Sequence, residues 1–161
     1  MLVFGAVSCN EPTPVPTPEP TPVQPVKPES GEPVALEDFT VTLTSLHAGD
    51  VFLTIEPENK DMSYWYSLQI KEDMPETDEE VIAADRDYFE YIASSNGMSL
   101  VELLSGNLVS GDKEWMYNSL SPKTEYVLYM YGLSIEGEAL TAVNRLTFTT
   151  PAVEKLDCTF D

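Results

Sequence analysis

Proline is concentrated in one segment and limits what that part of the chain can form. Nine of the 13 prolines in the 161 residues lie between Asn10 and Val34, most of them at every second position. Each proline fixes φ and lacks a backbone N–H, so we expect neither helix nor sheet there. We predict an extended, polyproline-like linker over 10–34, which reaches roughly 75 Å at ~3.1 Å per residue. A proline-rich recognition ligand is the alternative interpretation.

The first nine residues, M-L-V-F-G-A-V-S-C, are apolar or small and end in Cys9. They are too short to span a bilayer, which takes about 20 apolar residues, but they are typical of the end of a signal peptide. The small residues directly before Cys9 resemble a bacterial lipobox. That resemblance implies cleavage before Cys9 and a membrane anchor through lipid on this cysteine. The alternative is an ordinary N-terminal stub with a free thiol.

The region from 35 to 151 shows the period-2 pattern of half-buried strands. Apolar side chains alternate with polar ones in six segments, namely 39–44, 51–55, 62–70, 115–120, 126–130 and 146–148. Turn residues such as Pro57, Gly132 and Gly137 separate several of them. Short alternating strands joined by turns indicate a mainly β protein with an antiparallel sandwich.

Two helices are expected to interrupt the strands at about 76–106, between the third and fourth strands. Thr77 and Glu80 have the spacing of a capping box, and Ser99 and Glu102 repeat it. Apolar residues follow each box at roughly helical spacing, and Asn96-Gly97 is typical of a helix C-terminus.

The segment L-S-P-K-T-E-Y, Leu120 to Tyr126, resembles the signature of fibronectin type III domains, with Leu120, Pro122 and Tyr126 as its structural residues. L-T-F-T-T-P, from Leu146, is similar to the last strand of that family. The resemblance implies an immunoglobulin-like sandwich over 35–151, in which the Tyr126 hydroxyl bonds back to the backbone near the turn. It implies adhesion, ligand display or spacing, and it supplies no catalytic residues. Residues 152–161 are then a tail or the truncated start of a following domain.

Charge and residue types limit the possible chemistry. The chain has 28 acidic and 8 basic residues and a formal charge of −20, which opposes binding to nucleic acid or to anionic lipid surfaces. His47 is the single histidine, and there are two cysteines, which is too few for a two-His or a Cys₄ metal site. Ser45, His47 and Asp50 are too close in sequence for a catalytic triad. We therefore expect no catalytic residues, no metal and no cofactor.

Aromatic residues give the only candidate ligand site. If Tyr64, Tyr66, Tyr126 and Leu128 face the core, the alternation sends the residues between them to the outer face of the sheet. These include Trp65, Tyr129 and Tyr131, which would lie together because the third and fifth strands are neighbours in type III domains. One interpretation is a platform on which sugar rings stack. The other, which we favour, is that the two helices bury their apolar stripes on this face.

These features together predict a non-enzymatic, lipid-anchored surface module that binds an extracellular protein or glycan. The layout resembles bacterial surface lipoproteins, which implies attachment to the outer membrane of the cell envelope and exposure at the cell surface. The alternative is a passive spacer domain of a longer surface enzyme or glycan-binding lipoprotein whose functional domain is absent from this chain.

Overall fold

The structure is a computed structural model and describes residues 31–155. These residues form two antiparallel four-stranded sheets and two helices. The mainly β architecture with two helices is therefore confirmed. Cys9, nearly all of the proline-rich segment and residues 156–161 of the tail lie outside the described residues.

The first sheet contains β1 (Pro33–Ala35), β2 (Phe39–Leu46), β3 (Asp50–Pro57) and β6 (Lys113–Asn118), in that order. All neighbouring strands are antiparallel. The sheet begins at Pro33, two residues inside the segment assigned to the linker. Proline is compatible with this place because β1 is a short edge strand and Pro33 is its first residue.

The second sheet contains β5 (Val109–Ser110), β4 (Ser63–Ile70), β7 (Glu125–Gly132) and β8 (Asn144–Thr149), in that order. The central strand β7 pairs with β4 from Tyr64 to Ile70 and with β8 along most of its length. In contrast, β5 pairs with β4 only at Ser63 and Tyr64.

The core lies between the two sheets and follows the predicted alternation. Up to Leu43 in β2, and along β3, every second residue points inward and meets the inner face of the second sheet. A register shift after Leu43 interrupts the alternation in β2. The buried members are Phe39, Val41, Leu43, Val51, Leu53, Ile55, Tyr64, Leu120, Tyr126, Leu128, Met130, Leu146 and Phe148. This layer is the hydrophobic centre of the sandwich.

The two helices, α1 (Asp78–Ser95) and α2 (Leu100–Asn107), follow β4 and precede β5 in the chain. A short 3₁₀ turn, Lys71–Asp73, comes between β4 and α1. Both predicted capping boxes are confirmed: the N–H of Glu80 donates to the Thr77 hydroxyl at 3.3 Å, and that of Glu102 to the Ser99 hydroxyl at 3.2 Å. Each box satisfies backbone donors that the first turn of a helix otherwise leaves unpaired.

A second hydrophobic cluster joins the helices to the outer face of the second sheet. Its buried residues are Val81, Phe89, Ala93, Leu103, Leu104, Tyr129, Tyr131, Leu133 and Val143. The molecule therefore has three layers over most of this sheet: the first sheet, the second sheet and the helices.

Candidate binding groove

The helices cover most of the outer aromatic face that the sequence placed on the second sheet. Tyr129 and Tyr131 are each 1% exposed and belong to the cluster beneath the helices. Trp65 is half-buried, and its ring meets Phe89 of α1 edge-to-face at a centroid distance of 4.9 Å. Tyr129 and Tyr131 therefore do not offer a ring face to a ligand, whereas Trp65 remains partly accessible.

Asp85 holds the middle of α1 against this face. Its two carboxylate oxygens accept hydrogen bonds from the Tyr129 hydroxyl at 2.7 Å and from the Tyr131 hydroxyl at 2.9 Å. Burial raises the pKa of Asp85 above its ordinary value, although the two hydrogen bonds act in the opposite direction. Burial is the main reason that the pKa of both tyrosines is raised, and the charge of Asp85 raises it further. The arrangement satisfies three buried polar groups at once, so its role is structural.

Asp85 was not among the predicted site residues, although its position in the sequence carries a signal. Val81, Asp85 and Phe89 recur at four-residue spacing, so Asp85 occupies a core-facing position of an amphipathic helix. An acidic residue on such a stripe needs a buried partner.

A second carboxylate ties the start of α1 to β8. Asp78 accepts hydrogen bonds from Arg145 at 2.5 Å and from the N–H of Val143 at 3.0 Å. The hydrogen bond from Arg145 is the main reason that the pKa of Asp78 lies below its ordinary value.

An open groove of about 290 Å³ lies between the edges of the two sheets, beside the covered face. It is lined by Trp65, Tyr66, Ser67, Leu68, Asn107, Trp115 and Tyr117. Tyr66 meets Trp115 at 4.7 Å between ring centroids, and Trp115 meets Tyr117 at 5.4 Å, both edge-to-face. We call this site, with its two tryptophans and two tyrosines, the aromatic groove.

The local sequence explains why the aromatic groove exists. After β5, Gly111 adopts a φ of +69°, in the left-handed region that favours glycine, and the chain crosses to the first sheet. The Tyr64 hydroxyl donates to the Gly111 carbonyl at 2.9 Å and fixes this crossing. Along β6 the alternation then points Trp115 and Tyr117 toward β4, while Met116 lies on the opposite face.

The chemistry of the aromatic groove suits an uncharged ligand. None of the seven lining residues is charged. Its polar groups include the Ser67 hydroxyl and the Asn107 side chain, whose amide nitrogen donates to the Leu103 carbonyl at 2.7 Å. The Asn107 amide oxygen can therefore accept a hydrogen bond from a ligand. Aromatic rings with a few polar groups are typical of ligand-binding sites.

Leu120 and Pro122 of the predicted signature lie between β6 and β7, and Tyr126 lies on β7. Leu120 is buried in the core, and Pro122 lies in the turn that precedes β7. The N–H of Ser121 donates to the Tyr126 hydroxyl at 2.9 Å, which is the backbone bond expected for Tyr126. This bond ties β7 to the turn before it.

No histidine or carboxylate of the described residues lines the aromatic groove. His47 and Asp50 form an exposed pair at 2.8 Å in the turn between β2 and β3. Among residues 31–155, no three His, Cys, Asp or Glu side chains are grouped so that they could hold a metal ion. In the same part of the chain, no helix is both long and apolar enough to cross a membrane.

No protein-family model matches the chain, and no curated protein matches it significantly. Evidence for the function of the chain therefore comes from the geometry of the aromatic groove.

Proposed function

We propose that the chain is a non-enzymatic surface module that binds an extracellular protein or glycan in the aromatic groove. The observation that carries this proposal is that both tryptophans of the chain, Trp65 and Trp115, line one open groove together with Tyr66 and Tyr117. Tryptophan and tyrosine supply a large contact area together with a polar group, and they are enriched where proteins bind partners. A passive spacer would have no use for such a groove.

The surface location is part of the same proposal. The Cys9 lipobox would place a lipid anchor at the outer membrane of a bacterial cell, and 10–34 would act as the stalk. The fibronectin type III-like classification is supported by two antiparallel sheets and by the bond between Ser121 and Tyr126. Such a domain, held away from the membrane, would meet ligands outside the cell.

Binding can be followed by intrinsic fluorescence because both tryptophans line the aromatic groove. The full chain would be screened against a glycan array and a panel of extracellular matrix proteins, and each positive would be titrated. Tyr117→Ala, at a residue 38% exposed, should weaken binding at least tenfold, since tyrosine and tryptophan side chains carry much of the binding energy of protein interfaces. Trp65→Ala is a poorer probe because its ring also supports Phe89 of α1.

Met116→Ala is the matched control. Met116 is 54% exposed, is the neighbour of Tyr117 on β6 and lies outside the aromatic groove, so this variant should bind like the unaltered chain. Equal binding by both variants, or no ligand in either screen, would refute the groove as a binding site.

Lipidation is tested separately: mass spectrometry of the membrane fraction should show diacylglycerol on Cys9, and an unmodified thiol contradicts the anchor.

A further inference from the structure

The aromatic groove follows the edge of a strand. Four consecutive residues of β4, Trp65 to Leu68, line it. Consecutive side chains of a strand point to opposite faces of the sheet, so a cavity that touches all four lies beside the strand. The pairing with β5 stops at Tyr64, and no other described strand continues along this side of β4. The groove therefore occupies the place where a longer β5 would lie.

The backbone of β4 presents hydrogen-bonding groups to this place. The N–H of Leu133 donates to the Ser63 carbonyl, so the backbone groups of Ser63 point toward β7. Because hydrogen-bonded pairs alternate along an antiparallel ladder, the backbone groups of Ser67 and Gln69 point toward β7. Those of Tyr66 and Leu68 point the other way, into the groove.

The other edges of the described sheets carry features that discourage strand addition. β1 is three residues long and begins with Pro33, β6 carries Lys113 and Glu114, and β8 carries Arg145. Short length, proline and charge are the usual protections of an edge. The open part of β4, W-Y-S-L-Q, has no charge, no proline and an uninterrupted register with β7. This edge is thus the one suited to accept another strand.

We propose that the aromatic groove binds an extended peptide segment of a partner protein, which adds as a strand to β4 at Tyr66 and Leu68. Alternate side chains of the peptide would rest on Trp115 and Tyr117, while its backbone bonds to β4. A neutral or basic peptide is favoured because the chain carries 28 acidic against 8 basic residues. This inference rests on the proposed function and commits it to a peptide; a glycan is the competing outcome.

The test uses the full chain and measures hydrogen exchange of single amides by NMR. The probe is a pool of heptapeptides, acetyl-Lys-Z-Thr-Z-Lys-Z-Thr-amide, with Val, Ile, Phe or Tyr at each Z. In the free protein the amides of Tyr66 and Leu68 should exchange quickly, and those of Ser67 and Gln69 slowly. Saturating peptide should slow exchange at Tyr66 and Leu68 at least tenfold and leave Ser67 and Gln69 unchanged.

Two methylated forms of the best peptide serve as matched controls. One form carries N-methyl groups at the Z positions and the other at the remaining positions. Strand addition uses the N–H groups of alternate residues, so one form should lose binding at least tenfold and the other should keep it. Equal binding by both forms, or a bound peptide that leaves Tyr66 and Leu68 unprotected, would overturn the inference.

The glycan arm separates failure of the inference from failure of the proposed function. Cellohexaose, a neutral hexasaccharide, and the positives of the glycan array would be titrated in parallel. If a glycan changes tryptophan fluorescence in a Tyr117-dependent way and no peptide of the pool binds, the groove is a binding site but the peptide inference is wrong. If neither the peptides nor any ligand of the screens binds, the proposed function fails as well.

Discussion

The two faces of the second sheet are both buried, but they are stabilised in different ways. On the inner face, Leu128 and Met130 of β7 pack against apolar side chains of the first sheet. On the outer face, Tyr129 and Tyr131 of the same strand lie under the helices and donate hydrogen bonds to a carboxylate. The inner face depends on hydrophobic contact, whereas the outer face also depends on the protonation state of Asp85.

The different interactions on the two faces determine how substitutions and pH affect the attachment of the helices. An apolar layer loses stability mainly when its volume changes, because close packing leaves little room for adjustment. A buried carboxylate is costly unless its hydrogen bonds are satisfied. The helical layer therefore combines apolar contacts with a polar tie that is sensitive to both substitution and pH.

Truncating one buried leucine in each layer should destabilise the protein most. Leu128 in the inner layer and Leu104 in the helical layer are each 0% exposed, and leucine-to-alanine changes in cores cost about 2–5 kcal/mol. Leu128→Ala should increase amide exchange throughout both sheets, since the layer it weakens contains residues of both. Leu104→Ala should increase exchange in α1 and α2 first. Hydrogen exchange with mass spectrometry reads out both variants.

A uniform increase of amide exchange in both variants would contradict this difference between the layers. If Leu104→Ala increases exchange in β2 and β3 as much as in the helices, the three layers unfold as one unit. The two faces of the second sheet would then differ in packing but not in stability.

A smaller effect is expected at Asp85. Asp85→Ala leaves the buried hydroxyls of Tyr129 and Tyr131 without their acceptor, which should lower the free energy of unfolding by about 1–3 kcal/mol. Asp85→Asn is the matched control because an amide can accept from one hydroxyl, donate to the other and avoid burying a charge. Urea denaturation followed by circular dichroism measures both. Equal destabilisation by the two variants would show that the hydrogen bonds an amide can make to the two hydroxyls do not stabilise the helix.

Local patterns were sufficient for the inner face and for the helix starts. The alternation of Phe39, Val41 and Leu43 fixes which side chains face the core, and the spacing of Thr77 and Glu80 fixes where α1 begins. Both signals are complete within a few residues of sequence. They therefore do not require knowledge of which strands become neighbours.

The aromatic groove could not be predicted in the same way. Trp115 lies on the first sheet and Tyr66 on the second, so their contact depends on how two distant strand edges face each other. The open edge of β4 further depends on β5 being only two residues long, since α2 ends directly before it. The pairing of Asp85 with two tyrosines likewise requires the placement of α1 over β7.

A weaker effect still is expected from the pH dependence of the two carboxylates that tie α1 to the second sheet. Burial raises the pKa of Asp85, so its protonation favours the folded state, and its contribution to stability grows as the pH falls toward the pKa of the unfolded chain. The hydrogen bond from Arg145 lowers the pKa of Asp78, so the contribution of Asp78 is present at neutral pH and is lost as the pH falls. Asp85→Asn should therefore lose stability relative to the unaltered chain as the pH falls from 7 to 4. Asp78→Asn should gain stability relative to the unaltered chain only as the pH falls below about 4, where the carboxyl of the unfolded chain takes up a proton. Comparing each variant with the unaltered chain at the same pH removes the general effect of reducing a net charge of −20. Free energies from urea denaturation at each pH give the two differences, and the same sign for both variants would show that the two carboxylates do not act in opposite directions.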